Sequence, residues 1–244
     1  MPTKLNKKIM PGLYIVSTPI GNLGDMSFRG RDVLKQADII ACEDTRVTGK
    51  LLAYFDVGTP AISYHDHNEQ KVLPLLMEKL TAGQIVALVS DAGTPLISDP
   101  GYRLVKEARA AGFLVSSIPG ASAVLAALAS AGLPTDRFMF AGFLPGKTMA
   151  RRKILAELSP LKSTLVFYES PKRLKDSLKD IFEVLGDREA AICRELTKLF
   201  EEVRSGHLSE LEKHYRKADR PKGEIVIIVG PPGVTEVSED QLDH

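Results

Sequence analysis

Two stretches of this chain hold the side chains best suited to chemistry. Glu43-Asp44-Thr45-Arg46 packs two carboxylates and a guanidinium into four consecutive positions. Such a cluster can orient a substrate hydroxyl or take its proton. The same residues could instead begin a helix, with acids at the positive end of its dipole. The second stretch is Ser90-Asp91-Ala92-Gly93-Thr94-Pro95, which follows the unbroken apolar run from Ile85 to Val89. Gly93 lets a ligand approach the backbone closely, and Pro95 fixes the chain that follows. Asp99-Pro100 is expected to open a helix, as an N-cap residue followed by proline in the first turn.

Other clusters carry weaker chemistry. His65-Asp66-His67 offers two imidazoles on an extended segment, but no third ligand accompanies them at a telling spacing, so no metal is expected. Gly142-Phe143-Leu144-Pro145-Gly146-Lys147-Thr148 resembles a phosphate-binding loop. Three residues separate its glycines where four are required, and a proline removes one amide, which argues against an ATPase. The Gly-x-Gly-x-x-Gly dinucleotide pattern is absent, so hydride chemistry has no support. Lys147, Arg151, Arg152 and Lys153 form a basic run, with Lys172-Arg173 beyond it. Runs of this kind usually make a solvated face, and converging beside a binding site they would hold phosphates.

The elements that must position these residues follow from periodicity. Apolar runs at Leu13–Val16, Asp38–Cys42, Ala61–Tyr64, Ile85–Val89 and Leu114–Ile118 read as strands, separated by amphipathic helices. Strands alternating with helices of this length form a parallel sheet with right-handed crossovers. In such a sheet all loops after strands lie at one end. Here those loops are rich in Pro, Gly, Asp, Glu, His and Thr, so one end of the sheet is chemically loaded. The second half reads differently. A small-residue helix, Ala121–Ala131, is expected to bridge two domains. Strands follow at 138–143, 164–168, 190–194, 202–205 and 224–229, with the later ones antiparallel. The expected domains are an α/β domain over 1–119, a mixed α/β domain over 120–233 and a polar tail over 234–244.

Composition narrows the function classes. The 244 residues are 44% hydrophobic and 26% charged, with a formal net charge of +1. The chain can build a sizeable core, and any nucleic-acid contact must come from local clusters rather than overall charge. Cys42 and Cys193 sit in apolar runs and read as buried thiols of a reducing compartment. The lysine-bearing start, Met1 to Met10, lacks the apolar core of a leader or membrane anchor, and a cytoplasmic protein is expected.

Taken together, these motifs resemble the tetrapyrrole-methylase superfamily across Leu13 to Gly230. Its glycine-rich first loop appears here as Ser-Thr-Pro-Ile-Gly-Asn, its Gly-Asp-Pro loop as Gly93-Thr94-Pro95, and its Pro-Gly-x-Ser segment as Pro119 to Ser122. The departures point away from a porphyrin or corrin substrate and toward one branch. Thr18–Leu23, Glu43–Arg46, His65–Glu69, Ser90–Pro95, Phe167–Ser170 and Arg194–Lys198 are similar, in register, to the small-subunit ribosomal RNA methyltransferase I family. The resemblance implies a class III methyltransferase of two α/β domains, with S-adenosylmethionine folded between them. It implies 2′-O-methylation of a cytidine ribose in the decoding region of 16S rRNA, within the small ribosomal subunit. It also implies a homodimer.

Carried over by position, Pro19, Ile20, Asp91, Gly93, Thr94 and Ile97 would line the cofactor pocket. Ser122 and Ala123 would continue it, and Glu169 and Leu196 would close it from the second domain. A ribose hydroxyl is a weak acid, so a carboxylate is expected to take its proton, and Glu43, Asp44 and Asp99 are the candidates. Arg46, Lys147, Arg151, Arg152, Lys153, Lys172 and Arg173 would meet RNA. Two other readings stay open: a tetrapyrrole-precursor methyltransferase on the same fold, and a non-enzymatic ribosome-assembly factor that binds RNA through its basic runs.

Overall fold

The computed structural model describes residues 9–233; the expected polar tail, 234–244, and most of the lysine-bearing start lie outside them. The chain divides into two compact units between Ser122 and Ala123.

In the first unit, strands β1 (Gly12–Val16), β2 (Ile39–Cys42), β3 (Ala61–Ser63), β4 (Ile85–Leu88) and β5 (Val115–Ile118) alternate with helices. The helices are α1 (Phe28–Gln36), α2 (Thr45–Tyr54), α3 (Glu69–Thr81) and α4 (Tyr102–Ala110). All strands pair in parallel, in the order β3-β2-β4-β1-β5. Both faces of the sheet are buried, which is why its strands read as unbroken apolar runs. Tyr14, Val16, Ile40, Cys42, Ala87 and Val89 pack against Val33 and Leu34 of α1 and Leu52 of α2. Leu13, Ile15, Ile39, Ala41, Val86 and Leu88 face Leu76 and Leu80 of α3 and Leu104 and Ala108 of α4. The chain therefore leaves β4 toward one face and leaves both its neighbours, β1 and β2, toward the other. Such a reversal opens a crevice at the carboxyl end of the strands.

Asp99-Pro100 does not open α4. The helix starts at Tyr102, its N-cap is Gly101, and no side chain caps it. The loop before it turns too tightly, with Leu96 and Ser98 at φ +74° and +66° and Gly101 at +129°. A Cβ on Gly101 would lie 2.7 Å from Cδ2 of Leu88. Gly101→Ala should therefore cost about 1–3 kcal/mol of stability, read as a lower urea midpoint at unchanged slope.

In the second unit, the strands are β6 (Phe138–Phe143), β7 (Thr164–Glu169), β8 (Glu189–Arg194), β9 (Glu202–His207) and β10 (Ile225–Val229). They pair in the order β6-β7-β10-β8-β9. β6 runs parallel to β7, and the other pairs are antiparallel, so the sheet is mixed as expected. Helices α6 (Thr148–Leu158), α7 (Leu174–Leu185) and α8 (Leu208–Lys217) share one core with Leu165, Phe167, Ile192 and Ile227. Helix α5 (Ala123–Ala131) was expected to bridge the domains. It lies wholly in the second unit and packs on β8, β9 and β10.

Candidate active site

The loops at the carboxyl end of the parallel sheet are tied to one another. Thr18 and Gly93 exchange backbone hydrogen bonds of 2.9 and 3.0 Å, joining the loop after β1 to the loop after β4. The Thr94 hydroxyl donates to the Ala121 carbonyl at 3.1 Å, so the Ser17 hydroxyl, 2.9 Å away, must donate to Thr94. Asp44 donates its amide to Asp91 Oδ1 at 3.1 Å, and the Ser63 hydroxyl donates to the Glu43 carbonyl at 3.1 Å. These bonds make the five loops one surface.

Glycine permits the close approaches. Gly93 has φ +82°, and a Cβ there would sit 3.3 Å from Cγ2 of Ile20. On Gly120 a Cβ would fall 2.8 Å from that of Ser17. Of the expected cofactor residues in this unit, Pro19, Ile20, Gly93 and Thr94 are thus brought together. Asp91 and Ile97 stand exposed on the same loop.

An open pocket of about 430 Å³ lies at this end of the sheet, lined by Glu43, Asp44, Thr45, Arg46, Ser63, His65, His67 and Asp91. The sequence places His65, His67 and Thr45 in family motifs but assigns them no role at the site, and it does not single out Ser63. Their place after β2 and β3, at the loaded end, was the available signal.

The three catalytic candidates differ in electrostatics. Asp44 is the N-cap of α2, accepting from the Arg46 amide at 2.8 Å, and its carboxylate grips the Arg46 guanidinium at 2.6 Å. Those bonds hold its pKa at about 2, too low for a useful base at neutral pH. Burial raises the Glu43 carboxyl, and the charges of Asp91, Asp99 and Asp66 add to the rise. Burial likewise raises Asp99, only partly offset by the Ser90 hydroxyl beside it, and raises Asp91. Glu43 and Asp91, two carboxyls that resist charging, line a pocket whose one lining guanidinium is tied to Asp44. The site suits a ligand that brings positive charge.

In the second unit several expected site residues also take part in the fold. Glu169 is buried: it accepts from the Ser170 amide at 2.7 Å and from the Ser177 hydroxyl, and Arg173 lies 3.4 Å away. Its carboxylate is held by partners of its own unit. Ala123 begins α5, and Leu196 is buried after β8, flanked by Glu195 and Thr197 at positive φ.

The basic run is a solvated face only in part. Arg151 is 2% exposed and closes on Asp180 at 2.5 Å, while its Nη1 donates to the carbonyls of Pro145 and Gly146. Arg152 donates to Asp180 at 2.7 Å and also pairs with Glu183. Arg173 donates to the Leu144 carbonyl. The loop that resembled a phosphate cradle thus turns carbonyls toward guanidinium groups, the reverse of an anion site. Arg151, Leu155 and Leu158 share one buried helical stripe, a pattern from which the position of Arg151 could have been read. Lys147, Lys153 and Lys172 remain exposed.

Comparison with known proteins agrees with this architecture. The model of the tetrapyrrole (corrin/porphyrin) methylases matches residues 12–212. "Ribosomal RNA small subunit methyltransferase I" of Mesorhizobium japonicum is 54% identical over 226 residues, covering 92% of this chain and 77% of the relative. The protein of the same name from Vibrio cholerae is 52% identical over 234 residues, covering 95% and 81%. Among solved structures, a cobalt precorrin-4 methyltransferase of cobalamin biosynthesis superposes with a TM-score of 0.63 at 18% identity, over 89% of this chain and 94% of that one. With the family model matched over most of its length and relatives more than half identical to it, the chain belongs to the tetrapyrrole methylase family.

Proposed function

We propose that this protein is an S-adenosylmethionine-dependent methyltransferase that methylates the ribose 2′-hydroxyl of a cytidine in the decoding region of 16S rRNA. The observation that carries the reading is a carboxylate-lined pocket at the tied loops, in a chain 54% identical to a ribosomal RNA small subunit methyltransferase I over nine-tenths of its length. The pocket's unneutralised carboxylates fit a cationic cofactor, and the Gly93 turn fits close approach of a ligand to the backbone. Pro19, Ile20, Gly93, Thr94 and Ile97 would hold the cofactor from the first unit, with Asp91 facing its charge and Ser122, Ala123 and Leu196 adding contacts. When bound, that cofactor supplies an activated methyl group.

The chain's own task is then to place the ribose hydroxyl in line and take its proton. Positioning supplies most of the rate. Glu43 is the favoured base. No protein group among the described residues donates a hydrogen bond to its carboxylate, and its raised pKa makes it the stronger proton acceptor. Asp99 is the second candidate, and Asp44 is better described as the clamp that orders Arg46. The cytoplasm, where ribosomes are assembled, is the compartment this function requires, and a homodimer is the form the family resemblance implies.

The test is ribose-methylation mapping of ribosomal RNA from cells with and without the protein, together with calorimetry of S-adenosylmethionine binding. Loss of one 2′-O-methylcytidine in the small-subunit RNA supports the reading. Methylation of a tetrapyrrole precursor alone, or an absence of cofactor binding, overturns it. A pH profile adds a third check. Because the Glu43 pKa lies above the ordinary carboxylate value, kcat should fall as pH drops through that raised value. In Glu43→Gln this acid limb should disappear.

A further inference from the structure

We propose that the β6–β7 end of the second sheet is a stacking platform for unpaired bases of single-stranded RNA. This deepens the proposed function and rests on it, because it names the part of the substrate this unit would hold. Leu165, Phe167 and Ala141 point into the helix-covered core, so the alternate positions of the two strands point to the opposite face. There the register sets Phe138 beside Thr164 and Phe140 beside Val166, and the irregularity before Phe143 brings it beside Tyr168. Four aromatic rings thus share one face of two adjacent strands. Phe140 and Phe143 meet Tyr168 edge-on, with ring centroids 4.9 and 5.5 Å apart. α5 packs on β8, β9 and β10 of this sheet, and Phe138 and Phe143 remain 45% and 57% exposed.

The charges around this face select the occupant. β6 and β7 are parallel, so Arg137 and Lys162 precede them at one end while Lys147 and Lys172 follow them at the other. All four are exposed, and among the described residues none forms a salt bridge. Five other cations of the unit, Arg151, Arg152, Arg173, Arg194 and Lys198, pair with acids. Aromatic faces bordered by free cations match the alternation of bases and phosphates in single-stranded RNA. An apolar face meeting a second copy of this chain would bring like charges together at both ends.

The test uses the full chain and a fluorescein-labelled 12-nucleotide oligocytidylate, read by anisotropy. Phe143→Ala and Phe138→Ala should each weaken binding about 5- to 100-fold. Phe143→Trp should restore it, since any flat ring can stack. The double variant Lys147→Ala/Lys172→Ala should flatten the salt dependence of binding. Unchanged affinity in both phenylalanine variants, or no binding by the unaltered chain, overturns the proposal. So does a shift from dimer to monomer in Phe138→Ala on sedimentation, with RNA affinity intact, which would make the face a contact between copies. Calorimetry with S-adenosylmethionine on the unaltered chain reports on the methyltransferase reading separately.

Discussion

Glu43→Gln should lower kcat for methyl transfer by about 10²- to 10⁴-fold, the range that loss of a positioned base produces, and should raise the thermal midpoint at neutral pH. The two effects share one cause. Burial and the neighbouring Asp91, Asp99 and Asp66 raise the Glu43 pKa in the folded protein above its unfolded value. The folded state therefore holds that proton more tightly. The stability linked to it is fully present below the unfolded pKa and is lost as pH rises through the folded one. At neutral pH the charged side chain opposes folding, and a neutral amide removes the opposition. The gain in midpoint should shrink toward zero as pH falls below the unfolded carboxylate value, where Glu43 is protonated in both states. Kinetics and melting curves of the variant at neutral and acid pH check both halves. A variant with full kcat removes Glu43 as the base and moves attention to Asp99. Asp44→Ala serves as contrast. Its carboxylate is stabilised by Arg46 and caps α2, so its loss should lower the midpoint rather than raise it.

The largest effect on stability should come from the second unit. Asp180 is 1% exposed and holds two guanidinium groups, Arg151 on Oδ2 at 2.6 Å and Arg152 on Oδ1 at 2.7 Å. Asp180→Ala leaves the buried Arg151 charge with only the carbonyls of Pro145 and Gly146. An uncompensated buried charge costs about 3–5 kcal/mol, a large share of a domain's stability. Arg152→Ala should cost far less, because its part-exposed arm is solvated when unpaired. The double variant Arg151→Met/Asp180→Leu should recover most of the loss, since an apolar pair of similar volume avoids desolvating charge. Urea unfolding of the three variants decides the matter. A mild Asp180→Ala would mean that Arg151 reaches water, and the basic run would again be a candidate RNA face.

The two cases mark where sequence pattern stops being informative. Strands β1, β2 and β4 were legible because burial on both faces leaves an unbroken apolar run, and local composition records burial directly. Their parallel direction followed from the helices between them, and the polar loops at one end followed from that direction. Six motifs in register were enough to indicate the family. Strand order is another matter: β4 lies between β2 and β1, and β10 between β7 and β8, through pairings of residues far apart in the chain. No local pattern encodes a partner that distant. The same holds for charge. Asp44, Asp99 and Glu43 are three acids near turns in the sequence, and Arg151 and Lys153 are two neighbouring cations. Only the folded surroundings turn Asp99 away from the helix it was expected to cap, leave Glu43 facing other carboxylates and bury Arg151 on Asp180. Residue type sets what a side chain can do, whereas its pKa and its freedom to meet a ligand depend on solvent exclusion and nearby charge, which arise when distant segments pack.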